Sequence, residues 1–329
     1  MEKKGNKSSA WFRAVTLIML ATFMLGGCQD KKQAGAFKIG INQFMQHPLL
    51  DQTEKGLLDE LTAAGISHDK GSVITLKNAN GDESIAVQIN KQFSDDKVDV
   101  IVALGTPSAQ SAIKTTSTIP VVFGAITDPV KAGIAVTLAQ PGANKTGTSD
   151  RWPFEKQVAL IKKIVPNAVK VGIILNPAES NTEASMSYIR PALQKEGLVS
   201  VEVPVANTSE VYGAAKSLVG RCDVFLVPGD NTVISAFDTL VKVSREAKIP
   251  IIGGSDDLVI KGSLATYAGD YYQVGRATGK IVVQILKEKK NPGTIPVAVA
   301  EKAKLVVNEK EAAGLGIKLP LDLLEEAKK

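Results

Sequence analysis

The sequence has 329 residues, of which 44% are hydrophobic and 22% are charged, and its formal net charge is +5 at pH 7. This composition is ordinary for a folded globular protein and excludes a disordered, collagen-like or disulfide-rich chain. The length is sufficient for two domains, each with its own buried core.

The N-terminal segment has the pattern of an export signal. Basic residues at positions 3, 4, 7 and 13 precede the apolar stretch Ala14 to Leu25, which is too short for a stable membrane-spanning helix. The stretch runs into Gly26-Gly27-Cys28, which resembles the lipobox at which bacterial lipoproteins are cleaved and acylated. We predict a signal peptide over residues 1–27, lipidation of Cys28 and a polar tether over residues 28–36. The alternative is an ordinary signal peptide with an incidental cysteine.

The mature chain is therefore predicted to lie in the cell envelope, anchored by lipid on the extracytoplasmic side of a bacterial membrane. Loss of residues 1–27 removes four basic residues and Glu2, which lowers the formal charge from +5 to +2. Because the body contains no basic cluster with interleaved aromatic residues, we expect no nucleic-acid partner. Cys222 would be the one remaining free cysteine, so no disulfide is expected within the mature chain.

From Phe37 onward, strand and helix patterns alternate at short intervals. In the first half, strands are predicted over 37–43, 73–77, 98–104 and 120–124, and helices over 49–61, 83–93 and from 108 to 115. After a turn-rich break at 141–144, strands are predicted over 170–175, 199–203, 223–227, 250–252 and 263–268, helices over 154–165, 179–196, 209–219, 232–247 and 271–286, and an extended segment over 295–307.

This alternation predicts an α/β fold with two lobes, each a parallel sheet covered by helices on both faces. Late elements can return to the first unit, so we expect the chain to cross between the lobes more than once. The predicted first lobe comprises 37–147 plus about 269–294, and the second lobe comprises 148–268 plus about 295–329.

The junction from Asp99 to Gln110 indicates what kind of site the lobes carry. A buried strand pattern ends at Gly105, and Thr106-Pro107 supplies an N-cap hydroxyl and a proline suited to the first helical turn. The backbone N–H groups at such a helix start favour a small anion such as a carboxylate.

Comparable junctions follow other strands, and ligands of parallel sheets bind outside the carboxyl ends of the strands. Four carboxylates near these junctions can neutralise a ligand ammonium group, namely those of Asp128, Glu179, Asp230 and Asp257. Together with Thr106 and Ser108 as carboxylate contacts, they predict a zwitterionic ligand. The alternative is that these residues cap helices or lie in solvent. The full set of candidate ligand-binding residues is Gln46, His47, Thr106, Ser108, Ala109, Gln110, Thr127, Asp128, Asn176, Glu179, Asn181, Asp230, Asn231 and Asp257.

Signatures of enzymes are missing from the sequence. It contains no glycine-rich phosphate loop and no Gly-x-Ser-x-Gly motif, and neither of its two histidines has a second metal ligand at a suitable spacing. We therefore predict no catalytic residue, no metal site and no cofactor.

Seven segments resemble, in order, those of a known family. They are His47-Pro48-Leu49-Leu50-Asp51, Gly105-Thr106-Pro107-Ser108-Ala109-Gln110, Thr127-Asp128-Pro129, Gly147-Thr148-Ser149-Asp150, Asn176-Pro177-Ala178-Glu179-Ser180-Asn181, Asp230-Asn231-Thr232 and Gly269-Asp270-Tyr271-Tyr272-Gln273-Val274-Gly275-Arg276. From about Phe37 to Pro320, the chain resembles substrate-binding lipoproteins of ABC transporters with the type I periplasmic-binding-protein-like fold. The resemblance is strongest to the group that includes tryptophan- and tyrosine-binding members.

The resemblance implies two Rossmann-like lobes joined by a multi-strand hinge, and a monomer that traps a small ligand, an amino acid of the aromatic class by analogy, for delivery to an ABC permease. By analogy, residues 106–110 hold the ligand carboxylate, and Glu179, Asn181, Asp230 and Asn231 hold its amine or side chain. Trp152 and Phe154 depart from the family pattern, and we expect them to pack in the hinge rather than to reach the ligand. A ligand sensor that acts on a membrane signalling receptor is the alternative function, and an exported enzyme is a weaker third.

Overall fold

The structure is a computed structural model that describes Met1, residues 36–299 and residues 303–328. The rest of the predicted signal peptide, Cys28 and nearly all of the predicted tether lie outside these described residues. In the described part of the chain, no helix is both long and apolar enough to cross a membrane. Residues 35–329 group into one compact unit.

The first lobe is built on a parallel sheet. Among the described residues, its strands are β1 (Lys38–Gln43), β2 (Val73–Asn78), β3 (Val100–Leu104), β4 (Val121–Ile126), β5 (Lys145–Ser149) and β11 (Ala298–Val299), in the spatial order β11-β5-β4-β3-β1-β2. Its helices are α1 (Pro48–Ala63), α2 (Glu83–Asp95), α3 (Thr106–Thr115) and α10 (Tyr271–Leu286).

The second lobe repeats this arrangement. Its strands are β6 (Lys170–Leu175), β7 (Val199–Pro204), β8 (Val224–Val227), β9 (Ile251–Gly253), β10 (Ala265–Ala268) and β12 (Lys304–Val307), in the order β12-β10-β9-β8-β6-β7, with only the β10–β12 pair antiparallel among those described. Its helices are α4 (Phe154–Ile164), α5 (Ser180–Lys195), α6 (Val211–Leu218), α7 (Asn231–Ser235), α8 (Phe237–Ala247), α9 (Asp256–Lys261), α11 (Glu309–Leu315) and α12 (Leu321–Glu326).

The residues of the central strands explain this architecture. Every residue of β3 and of β8 is buried, as expected for strands covered by helices on both faces, whereas the edge strands β2 and β7 are partly exposed. The chain crosses between the lobes after β5, after β10 and after β11. The predicted α/β fold of two Rossmann-like lobes with parallel sheets and a multi-strand hinge is confirmed.

The positions of the lobe boundaries differ from the prediction. β11 pairs with β5 in the first sheet, whereas the prediction placed everything after about residue 295 in the second lobe. The reason is that the extended pattern at 295–307 contains two short strands that belong to different sheets. The chain therefore leaves the first sheet at Val299 and enters the second at Lys304.

The sequence pattern also missed β5, whose residues Lys-Thr-Gly-Thr-Ser lack an apolar run. This strand is buried nonetheless, because its hydroxyl groups have partners. Thr146 donates to the carbonyl of Ile295 at 2.8 Å, and the hydroxyls of Thr148 and Thr278 lie 2.9 Å apart. Because β5 leads into the first crossing, the residues of that crossing were not predicted to line the ligand site.

Two helix boundaries were wrong. Gly105, with φ 89°, is the N-cap of α3, and Thr106 is its first helical residue, so the threonine hydroxyl does not cap the helix as predicted. The helix predicted over 232–247 is broken at Ala236 into α7 and α8.

Helices α1 and α10 pack closely because glycines lie at their contact. A Cβ atom at Gly275 would lie 2.0 Å from the carbonyl oxygen of Thr53, and one at Gly56 would lie 2.1 Å from that of Tyr272. This close approach sets the N-terminal ends of the two helices, which carry His47 and Tyr271, beside each other.

We expect Gly275→Ala to destabilise the protein by about 1–3 kcal/mol, because the helices must separate to accommodate the methyl group. Urea denaturation measures the change. Gly213→Ala is the matched control: Gly213 lies exposed in α6, an added Cβ would meet nothing within 4 Å, and the change should stabilise the protein by about 0.5–1 kcal/mol. Equal effects of the two substitutions would contradict this account of the helix packing.

Candidate functional site

A polar cavity lies between the lobes, where the first sheet's strands end. The cavity has a volume of about 20 Å³. The wall is formed by His47, Leu49, Leu50, Thr106, Ala125, Thr127, Asp150, Trp152, Asn181, Gly229, Asn231, Ile234 and Tyr271. This volume holds about one water molecule, so a larger ligand can occupy the cavity only if its walls move apart.

His47 connects the two lobes across this cavity. It is the N-cap of α1, where its Nδ1 accepts a hydrogen bond from the backbone N–H of Leu50 at 3.4 Å. Its Nε2 lies 3.0 Å from Oδ1 of Asn231 in the second lobe. Burial lowers the pKa of His47, which favours the neutral ring. With Nδ1 accepting, the proton resides on Nε2, and His47 donates to Asn231.

The rest of the first-lobe wall offers hydroxyl groups and a strained backbone. Thr106 and Thr127 follow β3 and β4 and are nearly fully buried. Between them, Ala125 has φ 56°, a left-handed conformation that is costly for alanine, at an irregularity in the pairing of β4 with β5. Strain of this kind clusters at ligand sites.

In the second lobe, Glu179 accepts hydrogen bonds from residues of the cavity wall. It is 3% exposed and accepts hydrogen bonds from the backbone N–H groups of Asn231 and Thr232 at 3.1 and 3.0 Å. Its oxygens also accept from Nδ2 of Asn231 at 2.5 Å, Nδ2 of Asn181 at 3.0 Å and Oγ1 of Thr232 at 2.8 Å. Glu179 does not form part of the cavity wall, because these partners surround it.

Asp230 lies behind the same wall. It is the N-cap of α7 through a bond from the Val233 N–H at 2.9 Å, and it also accepts from the backbone N–H of Asn176 and from Thr182 Oγ1. Burial and the nearby charge of Glu179 raise the pKa of Asp230. Its role in the structure is to hold β6, α5 and α7 together.

The crossing segments contribute a carboxylate that the sequence reasoning did not select. The Tyr271 hydroxyl donates to Asp150 Oδ2 at 2.7 Å and accepts from Trp152 Nε1 at 2.7 Å. The other oxygen, Asp150 Oδ1, is buried and has no hydrogen-bond partner. Burial raises the pKa of Asp150 to about 6, although the Tyr271 bond opposes this. A buried carboxylate oxygen on a cavity wall is an acceptor ready for a ligand cation.

The structure places five of the predicted residues on the cavity wall: His47, Thr106, Thr127, Asn181 and Asn231. Asn176, Glu179 and Asp230 lie behind it and support it.

The remaining predicted residues face elsewhere. Gln46 is exposed, Ala109 and Ser108 are buried in the lobe with Ser108 bonded to Asn42, Gln110 donates to the Ala132 carbonyl, and neither Asp128 nor Asp257 reaches the wall. Ser108 and Gln110 lie on α3 and are held by hydrogen bonds within the first lobe.

The two aromatic residues that follow β5, Trp152 and Phe154, lie in different environments. Trp152 lines the cavity, which differs from the expected hinge packing. Phe154 is buried and stacks on Tyr188, with ring centroids 6.3 Å apart. Three apolar wall residues were not predicted to bind the ligand, namely Leu49, Leu50 and Ile234. The first two are recognisable only once α1 is known to start at Pro48.

Outside the cavity, a second set of contacts joins the lobes. The Tyr188 hydroxyl on α5 donates to Asp128 in the first lobe at 2.6 Å. The Lys131 ammonium lies 3.6 Å and the Arg151 guanidinium 3.8 Å from the centre of the Tyr188 ring. We refer to Asp128, Lys131, Arg151 and Tyr188 as the Tyr188 clasp.

Two α/β lobes that enclose a small-molecule cavity at their crossings define a type I periplasmic-binding-protein-like solute-binding protein. A model of the family described as "ABC transporter substrate binding protein" matches residues 38–329, and the chain belongs to this family. It is the substrate-binding component of an ABC transporter. Because the family binds solutes, the prediction that the chain is not an enzyme is confirmed.

Relatives with assigned ligands are similar along most of the chain. A tyrosine-binding protein of Clostridioides difficile is 35% identical over 303 residues, which cover 88% of each chain. A structure of an ABC domain in complex with L-Trp from Streptococcus pneumoniae is 36% identical, with a TM-score of 0.85 over 89% of this chain and 98% of that one.

The lobes of the present structure are closed. A ligand-free, open substrate-binding protein with adhesive properties from Clostridium difficile is also 36% identical, and it covers 87% of this chain and 97% of its own, but its TM-score is only 0.65. The contact between His47 and Asn231 is consistent with closure. More distant structures, among them an L-rhamnose complex at 9% identity and a myo-inositol complex at 12%, have TM-scores of 0.63 and 0.61 and share the fold alone.

The raised pKa of Asp150 predicts a pH-dependent effect of Asp150→Asn. In the folded protein the carboxyl group holds its proton up to about pH 6, whereas the ordinary value is 3.8. The resulting contribution to stability is therefore present below about pH 4 and is lost as the pH rises through 6. Asparagine lacks this dependence, so the variant should gain about 1–3 kcal/mol over the native protein at pH 8 and nothing at pH 4. Urea denaturation at both pH values checks this, and an equal effect at both would contradict it.

Proposed function

We propose that the cavity binds a zwitterionic α-amino acid with an aromatic side chain, and that the protein delivers it as a monomer to an ABC permease. The observation that carries the proposal is Asp150 Oδ1, a buried carboxylate oxygen without a partner on the cavity wall. An ammonium group satisfies such an oxygen, whereas a sugar hydroxyl leaves its charge uncompensated.

The other walls support the same ligand. Thr106 and Thr127 supply hydroxyl donors beside the start of α3, which suits a carboxylate. Trp152 and Ile234, with leucines at the start of α1, supply an apolar surface for a ring. The relatives named for tyrosine binding and solved with L-Trp support the aromatic class.

A thermal-denaturation screen tests the ligand class. At 100 times its dissociation constant, a ligand adds about 2.7 kcal/mol to the stability of the folded state, which corresponds to a rise of roughly 4 °C for a chain of this size. We expect L-tryptophan or L-tyrosine to produce this rise in circular-dichroism melts, and Asp150→Asn to abolish it while the variant stays folded. If L-rhamnose or myo-inositol raised the melting temperature and no amino acid did, the proposal would be wrong.

We further propose that Cys28 carries the lipid anchor. Expression of the full chain in a bacterium with a labelled fatty acid should label the native protein, and Cys28→Ala should remove the label and release the protein from the membrane fraction. Cys222→Ala, a change at a buried cysteine, is the matched control and should keep both. Continued labelling of Cys28→Ala would exclude this position as the anchor.

A further inference from the structure

Glu179 does not line the cavity, yet its hydrogen bonds determine how the side-chain amides of the cavity wall are oriented. Two of its five donors are backbone N–H groups, one on each carboxylate oxygen, from Asn231 to Oε2 and from Thr232 to Oε1. A backbone N–H can only donate, so both oxygens of Glu179 must accept.

This requirement fixes the orientation of two side-chain amides. The group that approaches Glu179 Oε2 must be the NH₂ of each asparagine, and it is: Nδ2 of Asn181 at 3.0 Å and Nδ2 of Asn231 at 2.5 Å. The carbonyl of Gly229, 3.1 Å from Asn181 Nδ2, favours the same orientation. The Oδ1 atoms therefore face away from Glu179.

The two carbonyl oxygens have different surroundings. Asn231 Oδ1 accepts from His47, whose tautomer is fixed in turn by the Leu50 N–H. Asn181 Oδ1 is buried and has no partner, and Asn181, 3% exposed, lines the cavity. An unpartnered buried acceptor on the cavity wall requires a donor from the ligand.

We propose that Glu179 is a positioning residue that makes this wall present acceptors only, and so selects the ligand's ammonium group. The inference rests on the proposed function. Asn181 Oδ1 and Asp150 Oδ1 then form two acceptors for one ammonium group, one from the second lobe and one from a crossing. A ligand that places a carboxylate or carbonyl there meets only acceptors.

The competing role for Glu179 is structural, since five hydrogen bonds also hold the loop after β6 against the start of α7. Both roles predict that Glu179→Met destabilises the protein, because the five donors lose their acceptor oxygens. Only the positioning role predicts a change in selectivity.

The test compares three probes on the full-length chain purified in detergent: L-tryptophan, indole-3-propionate, which lacks the amine, and tryptamine, which lacks the carboxylate. Isothermal titration calorimetry gives the dissociation constants. We expect the native protein to prefer L-tryptophan over indole-3-propionate by roughly 10- to 100-fold, the range for hydrogen bonds to a charged group. In Glu179→Met, which removes both acceptor oxygens, this ratio should fall about tenfold, while the ratio of L-tryptophan to tryptamine should not change.

Asp230→Asn is the matched control. It also replaces a buried carboxylate that accepts from two backbone N–H groups, those of Asn176 and Val233, but it bonds to neither Asn181 nor Asn231 through their side chains. The variant should lose stability and keep the selectivity ratio. An unchanged ratio in Glu179→Met, or an equal fall in Asp230→Asn, would overturn the positioning role.

If Glu179→Met does not fold, Asn181→Leu decides the question. It removes the unpartnered oxygen and leaves Glu179 four of its donors, so the ratio should again fall about tenfold; an unchanged ratio would overturn the inference. A native protein that bound no amino acid would defeat the proposed function itself. A native protein that bound L-tryptophan, with variants of unaltered selectivity, would defeat only the role of Glu179.

Discussion

A carboxylate that is removed from water needs hydrogen-bond donors, and the interior of this protein satisfies that need in two different ways. Glu179 accepts five hydrogen bonds from its own lobe, so its carboxylate needs no donor from a ligand. Asp150 obtains one side-chain donor, from Tyr271, and keeps one buried oxygen without a partner. The hydrogen bonds of Glu179 stabilise the cavity wall, whereas the unpartnered oxygen of Asp150 gives that wall an acceptor for a cation.

The two arrangements depend on the chain crossing between the lobes. Tyr271 begins α10 directly after the second crossing, and Asp150 and Trp152 lie in the first, so the hydrogen bonds among them join two crossings at the cavity. The close packing of α10 on α1 places His47 at the same point. The segments that join the lobes therefore also line the cavity.

Much of the fold could be predicted because its signals are local. The run Val-Ile-Val-Ala-Leu of β3 reads directly as a buried strand. β5 could not be found in this way, since its burial depends on hydroxyl partners on α10 and near Ile295 that lie more than a hundred residues away.

The candidate site was predictable to a similar degree. Sequence reasoning located the loops, but it could not distinguish an acid that faces the cleft from one that caps a helix. Asp230 caps the start of α7 and was predicted to bind the ligand. Asp150 follows a strand that was not predicted, so it was not selected as a ligand-binding residue. The distinction depends on which donors the folded chain brings to each carboxylate, and sequence spacing does not encode that.

The Tyr188 clasp gives the protein a means of tuning affinity at a distance from the ligand. Its cation–π contacts and the bond between Tyr188 and Asp128 form only when the lobes meet, and they add to the free energy of closure whether or not a ligand is present. The apparent dissociation constant depends on the fraction of molecules in the binding-competent state. Changes on this outer surface can therefore alter affinity without changing any residue of the cavity wall.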